Sequence, residues 1–288
     1  LVSLNGSVTI ATGGTWSGGG GVFSDANILN PTYTPSAAEI AAGTVTLTLT
    51  TTGNGDCNAV SDDLVITITP APVVDAGTAD VLCANNADIS LAGSVTGATG
   101  GTWSGGSGTF TPDADDLNAV YTPSAGEITA GSVTLILTST GNGTCLPVTD
   151  NVTYTFSPAP TADAGVDQVA CANNADISLS GAVTVATGGT WSGGTGTFSP
   201  NASTLNATYT PSAAEITAGT VTLTLTTTGN GDCNPVSDDI VINFTPAPTA
   251  SAGSDQTVCA NNALVSLNGS VTIATGGTWS GGGGVFSE

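Results

Sequence analysis

Residues 220–244 read TVTLTLTTTGNGDCNPVSDDIVINF, and this stretch decides the fold. From Val221 to Thr226 aliphatic residues alternate strictly with threonine, the period-two pattern of a strand with one buried and one solvated face. Asp239 to Phe244 reads as a second strand. Between them the cluster Thr228-Gly229-Asn230-Gly231-Asp232 supplies glycine and asparagine, residues that tolerate the positive φ angles of a tight hairpin. Just upstream, Pro211-Ser212-Ala213-Ala214-Glu215-Ile216 carries the S-x-x-E spacing of a capping box, so it predicts a single helical turn. Further out, Asp176-Ile177-Ser178-Leu179-Ser180 alternates, and Gly188-Gly-Thr-Trp-Ser-Gly-Gly194 is a short strand bounded by glycines.

The same signals return at a fixed step. Cys83, Cys171 and Cys259 are 88 residues apart, as are Cys57, Cys145 and Cys233. Trp103, Trp191 and Trp279 keep this step. Trp16 lies 87 before Trp103, the missing residue falling in the loop between Phe23 and Tyr33. Capping boxes recur at Ser36/Glu39 and Ser124/Glu127. Pro-Ala-Pro punctuates the chain at 70–72, 158–160 and 246–248, where closely spaced prolines withdraw donors from any ladder and favour an extended spacer. This phase predicts two complete repeats, 71–158 and 159–246, flanked by partial repeats at 1–70 and 247–288. Residues 1–24 are identical to 264–287, so the sequence opens and closes at one phase, and we read it as a stretch of a longer array. Several short strands in about 88 residues predict a β-sandwich able to bury its own core. The expected fold class is all-β: tandem Ig-like (PKD-like) sandwiches arranged as an extended fibre.

Composition restricts function. Twenty-two acidic residues with no Lys, Arg or His give a net charge of −22, which repels phosphate backbones and anionic headgroups and argues against nucleic acid or membrane insertion as partners. Charged residues are only 8% of the chain, so the surface rests on Thr, Ser, Asn and Gly. Without His, Lys or Arg there is no triad base, Schiff-base amine or phosphate clamp. Glu39, Glu127 and Glu215 already have capping roles, so no catalytic residue and no enzymatic activity are expected. Isopeptide cross-links that need Lys cannot form in this chain.

Two cysteines per repeat, isolated from any His, point to disulfides and an oxidising compartment rather than zinc. Pairing within a repeat, Cys83–Cys145 and Cys171–Cys233, closes loops of about 62 residues and contributes about 4 kcal/mol in the chain-entropy model. Cys57 and Cys259 then find partners outside these residues. The alternative joins Cys57–Cys83, Cys145–Cys171 and Cys233–Cys259 across each Pro-Ala-Pro. The within-repeat scheme is preferred, because a domain usually carries its own staple.

The remaining cofactor candidate is calcium. Asp113, Asp115 and Asp116 share a loop, Asp163 and Asp167 follow a proline joint, and Asp238 and Asp239 precede a strand; such oxygens suit calcium. Asp also caps turns, and none of these clusters forms a D-x-D-x-D-G loop, so turn capping is the preferred account and no cofactor is assigned. Trp16, Trp103, Trp191 and Trp279, each beside small residues on a short strand, are expected in the core rather than on a sugar-stacking face.

The string AGVDQVACANNADISLSGAV (164–183), with GGTWSGGTGTFSPNASTLNATYTPSAAEITAGTVTLTLTTTGNGDCNPVSDD (188–239), resembles the Ig-like or PKD-like repeats of giant secreted surface adhesins of Bacteroidota. The likeness runs over the whole chain. It implies gliding-motility-associated proteins exported by the type IX pathway, with extracellular, cell-surface display. The function expected is a stalk or filament for adhesion or gliding, with neighbouring repeats and identical chains as partners. Two alternatives stand beside it: multivalent binding of surface glycans by a weak site on each repeat, and lateral self-assembly through strand edges.

Overall fold

The computed structural model describes residues 1–286; Ser287 and Glu288, the last of the expected partial repeat, lie outside the described residues. Compactness divides the chain into two units, Leu1–Val81 with Ala87–Phe156, and Leu82–Asn86 with Ser157–Glu288. That division does not follow the repeat phase: seven residues of the expected 71–158 repeat, 82–86 and 157–158, belong with the residues after it.

In the second unit, residues 161–245 form a two-layer sandwich. One sheet runs in the order Gln168–Cys171, Ser237–Thr245, Thr220–Thr228, Gly188–Ser192. The strands read from the sequence at 221–226 and 239–244 are its centre, antiparallel with Leu223 opposite Ile240 and Val221 opposite Ile242. Gln168–Cys171 adds in parallel, with Gln168 opposite Ile242 and Cys171 opposite Thr245. The facing layer holds Ile177–Ser178, Thr208–Thr210 and Thr197–Ser199, and Thr161–Asp163 pairs with Ala182–Thr184.

Period two sends Val221, Leu223, Leu225, Ile240, Ile242 and Phe244 inward against Trp191, Tyr209, Ile177 and Leu179. The Trp191 indole N–H donates to the Leu205 carbonyl at 3.0 Å, so its one polar atom is satisfied inside the core. Gly181 is glycine because a Cβ there would stand 2.9 Å from both the Trp191 ring and the Leu225 side chain.

The predicted helical turn is Ala213–Ala218, with the full capping box of Ser212 and Glu215 and a left-handed Gly219 (φ 84°) as its stop. Glu215 also leaves its own helix. Its carboxylate accepts from the Thr195 N–H at 2.6 Å and the Tyr209 hydroxyl at 2.7 Å, besides the Ser212 N–H at 2.7 Å. The buried Tyr209 hydroxyl in turn accepts from the Gly196 N–H. These donors hold the Glu215 carboxyl below its ordinary range although burial opposes them, and burial with the carboxylate contact pushes Tyr209 up to about 12.

Beyond Pro248 this unit contains one further pair, Thr249–Ser251 with Ser270–Thr272. Trp279 is 41% exposed, which corrects its placement in a core. Among the described residues, 247–286 contain no counterparts of the strands at 208–210, 220–228 and 237–245 that bury Trp191.

The first unit repeats these elements. Around Trp103 the sheet places Gly100–Ser104 against Ser132–Thr140, and that strand against Thr149–Ser157. Trp103, Tyr121, Leu135 and Leu137 are buried, and the capping box at Ser124/Glu127 is complete. Around Trp16, Gly13–Gly18, Thr44–Thr52 and Ser61–Thr67 make a sheet of three strands, with Leu4, Trp16, Tyr33, Val45 and Leu47 beneath it.

Candidate functional site

The site that sets the second unit apart is a clasp between two loops. The first is Cys83-Ala84-Asn85-Asn86. The Asn86 N–H returns to the Cys83 carbonyl at 2.9 Å, closing a tight turn, and the Ala84 N–H donates to the Ser157 carbonyl at 2.9 Å. The second is the hairpin loop 229–235. Gly229 and Gly231 take the left-handed φ values of 66° and 61° that its path requires. The Cys233 N–H donates to the Asn230 carbonyl at 3.2 Å, and the Asn230 side-chain amide donates to the Thr227 carbonyl at 3.2 Å. Both loops are thus shaped by their own hydrogen bonds, and each presents a cysteine.

Cys83 and Cys233 are bonded, with an S–S distance of 2.04 Å and Cα atoms 5.0 Å apart, across a sequence separation of 150. Beside the sulfurs, Asn85 and Asn234 grip each other three times. The Asn85 amide Nδ2 donates to the Asn234 carbonyl at 3.0 Å, the Asn234 N–H donates to Asn85 Oδ1 at 3.1 Å, and Asn234 Nδ2 donates to the Asn85 carbonyl at 3.0 Å. Asn86 Nδ2 adds a bond to the Asp232 carbonyl at 3.3 Å. The carbonyl of Pro158 lies 3.9 Å from both sulfurs, so the clasp closes over a Pro-Ala-Pro joint.

This bond corrects both expected pairings. Cys83 is joined neither to Cys145 nor to Cys57, and Cys171 is not joined to Cys233. Cys57, Cys145, Cys171 and Cys259 are free thiols. The physical reason lies in the parallel strand pair. Cys171 stands opposite Thr245, the far end of the Ser237–Thr245 strand, whereas Cys233 precedes its beginning. Eight residue steps of about 3.3 Å hold the two roughly 26 Å apart, and a disulfide tolerates Cα separations of at most about 7 Å. The two cysteines of a repeat therefore sit at opposite ends of its sandwich. Cys83, the counterpart of Cys171 88 residues earlier, is the cysteine that meets Cys233. Sequence spacing shows the cysteines but not which end each occupies; the parallel register of Gln168–Cys171 was the missing information.

The acidic candidates are occupied differently from a metal site. Asp113 Oδ1 accepts from the backbone N–H groups of Asp115 and Asp116, and Asp115 accepts from the Thr102 hydroxyl. Asp163 caps Gly165. Asp167 accepts from the Val241 N–H and Asp238 from the Ala164 N–H, each at 2.8 Å, stitching the first strands of the sandwich to the last. Asp239 lies on the solvated face opposite Thr224. Among the described residues no group of three His, Cys, Asp or Glu side chains could hold a metal ion. Trp16, Trp103 and Trp191 are 5%, 2% and 2% exposed, which leaves no ring face on the surface for a sugar to stack on.

No protein-family model matches the chain, and no curated protein matches it. Solved structures that align with it include multi-domain segments of cadherins and of titin. Protocadherin gamma B2 cadherin domains 3–6 share 14% identity over 88% of this chain and 74% of that one, at a TM-score of 0.31. Mouse cadherin-23 domains 22–24 share 12% over 86% and 92%, at 0.33. Titin domains I67–I69 share 10% over 81% and 87%, at 0.41. At such scores the assignment rests on the strand pairing itself: the chain is an all-β protein of tandem Ig-like β-sandwich repeats. No helix among the described residues is long and apolar enough to cross a membrane.

Proposed function

We propose that this chain is the structural, non-enzymatic stalk region of an extracellular adhesion protein or surface filament, and that its repeats are stapled covalently one to the next. The observation that carries the reading is the Cys83–Cys233 bond, which ties the Cys-Ala-Asn-Asn loop of the 71–158 repeat to the Asn-Gly-Asp-Cys loop of the 159–246 repeat. A domain that needed only its own stability would staple itself. A bond from each repeat to its successor instead resists separation of neighbours under tension, which is what a stalk between a cell and its attachment point must do.

Several features support this reading. Disulfides persist in oxidising, extracellular settings. A chain with 22 acidic and no basic residues stays dispersed among its own copies. The buried cluster from Ala164 to Phe244 draws only on residues of 159–246, in keeping with 71–158 and 159–246 as the folding units. The resemblance of the repeats to secreted Bacteroidota adhesins supports cell-surface display, with adhesion or gliding as the use to which the stalk is put.

The test is mechanical. Pulled from its two ends, the oxidised chain keeps the segment between residues 83 and 233 out of the extension. Reduction then releases roughly 500 Å of contour length, at about 3.4 Å for each of the 150 bridged residues. Equal contour lengths before and after reduction would reject the staple.

A further inference from the structure

The clasp encloses reactive groups that the staple does not use. Asn230-Gly231 is separated from Cys233 by Asp232 alone, and the equivalent loops read Asn54-Gly55 and Asn142-Gly143. Glycine carries no side chain to shield its nitrogen or restrict its backbone. An Asn-Gly pair is therefore where a main-chain amide most readily attacks the side-chain amide just before it.

Both reactants are in place. Among the described residues no hydrogen bond engages the Gly231 N–H. Beyond its chain neighbours no atom lies within 4 Å of the position a Gly231 Cβ would take, so this side of the loop is open. The Asn230 carboxamide is held away: Nδ2 donates to the Thr227 carbonyl at 3.2 Å, and Oδ1 is buried without a donor. Asn142 is held in the same way, with Nδ2 on the Ser139 carbonyl at 3.1 Å and Oδ1 buried without a donor. A buried oxygen that accepts nothing is a cost the closed loop imposes, and swinging the side chain out relieves it.

The clasp is what keeps the reactants apart. Directly after Gly231, three consecutive residues are tied to the opposite loop. The Asp232 carbonyl accepts from Asn86 Nδ2, Cys233 is bonded to Cys83, and Asn234 donates its N–H and Nδ2 to Asn85. The Asn230 carbonyl itself accepts from the Cys233 N–H at 3.2 Å. Bringing the Gly231 nitrogen onto Asn230 Cγ means turning the peptide unit between them, a motion resisted while 232–234 are fixed.

We propose that Asn230-Gly231 is a self-modification site gated by the clasp, preserved while Cys83–Cys233 is closed and deamidated once that bond opens. The Gly231 nitrogen gives up its proton and bonds to Asn230 Cγ. The Cγ–Nδ2 bond breaks, ammonia leaves with the proton, and a five-membered cyclic imide remains. Water then adds to one of the two imide carbonyl carbons, and the bond from that carbon to nitrogen breaks. Breaking it at Cγ leaves aspartate. Breaking it at the main-chain carbon leaves isoaspartate, whose main chain runs through Cβ and Cγ and is one atom longer. Neither product refits the closed loop. In aspartate a carboxylate oxygen faces the Thr227 carbonyl where Nδ2 donated, and the buried oxygen beside it has no donor for its charge. In isoaspartate the carbonyl that accepted from the Cys233 N–H has become part of a side-chain carboxylate, and the turn loses its frame. An opened joint is thereby marked, and its two loops no longer match.

The inference rests on the stapled joint proposed above, and the experiment separates the two. The oxidised 288-residue chain and its Cys83→Ser variant are incubated in oxygen-18 water at body temperature and mildly alkaline pH. After digestion in ordinary water, mass spectrometry reads how fast the heavy oxygen has entered residue 230. The expected rate is about tenfold or more higher in Cys83→Ser, because a loop that opens locally reacts from its open state. Asn142-Gly143, in a loop that Cys83 does not touch, should convert at one rate in both chains. Asn230→Asp carries the product's charge from the start. After reduction, its Cys83–Cys233 bond should re-form in a glutathione buffer about tenfold more slowly than the parent's. Equal rates at residue 230 in the two chains, or an acceleration at Asn142 as large as at Asn230, overturn the gating and leave the staple standing. No heavy oxygen at residue 230 in either chain overturns the site. Reoxidation of Asn230→Asp at the parent's rate overturns the marking. Absence of Cys83–Cys233 from the oxidised parent overturns the staple and the inference together.

Discussion

Glu215, Glu127 and Glu39 each bind one small helix to a glycine-rich loop and to a buried tyrosine. Glu39 shows the effect most strongly: the Gly20 N–H, then the Ser36 N–H, with the Tyr33 and Ser36 hydroxyls, hold its carboxyl down at about 2. A carboxyl whose folded-state pKa is depressed stabilises the fold fully above its unfolded value, near 4.5. That contribution is lost as the pH falls toward the folded value. The Glu39 contribution should therefore disappear between pH about 4.5 and about 2. Acid titration followed by circular dichroism should show Glu39→Gln flattening this part of the profile; Glu215, whose carboxyl is likewise held below its ordinary range, should lose its contribution in the same direction as the pH falls. Tyr209→Phe leaves the Gly196 N–H and one carboxylate lone pair unpaired in a buried place, and should cost about 1–3 kcal/mol in denaturant unfolding. The capping half of this arrangement is legible in the S-x-x-E spacing. The tyrosine half is not, because Tyr209 and Thr195 reach the carboxylate only once the two sheets are packed.

The strands are the part the sequence declares most openly, since alternation in 221–226 and 239–244 names both the elements and their buried faces. Leu223→Ala, at a position with no exposed surface, should destabilise its repeat by about 2–5 kcal/mol. The four-residue strand Gln168–Cys171 is too short to announce its direction, and its parallel addition decides where each cysteine falls. Loss of the resulting staple should be large, because it closes a segment of 150 residues. The chain-entropy model puts its contribution at about 5 kcal/mol. Cys83→Ser or Cys233→Ser should lower the denaturation midpoint in oxidising buffer, and a reductant should then lower the parent protein while leaving the variants unchanged. The Asn85–Asn234 pair orients the same two loops, so Asn234→Ala should slow oxidation of Cys83 with Cys233 in a timed thiol-trapping assay. In the earlier repeat Leu146 stands where Asn234 stands. A clasp closed on that loop would lack this side-chain donor.

At the scale of the molecule, a repeat of 88 residues with a closed core should fold when excised. Residues 159–246 should give a cooperative thermal transition, and residues 247–288, which leave Trp279 and Leu264 exposed, should not. The repeat length, the punctuating Pro-Ala-Pro and the all-β class are legible from sequence because they depend on local chemistry. The wiring between repeats is not, because near-identical units offer corresponding cysteines similar neighbours in sequence and distinct partners only in space. The central claim is that wiring, and a digest of the oxidised chain that cuts before aspartate tests it most directly. Residues 80–87 and 232–237 should emerge as one disulfide-linked pair that separates on reduction. Recovery of Cys83 joined to Cys145 or to Cys57 would contradict it.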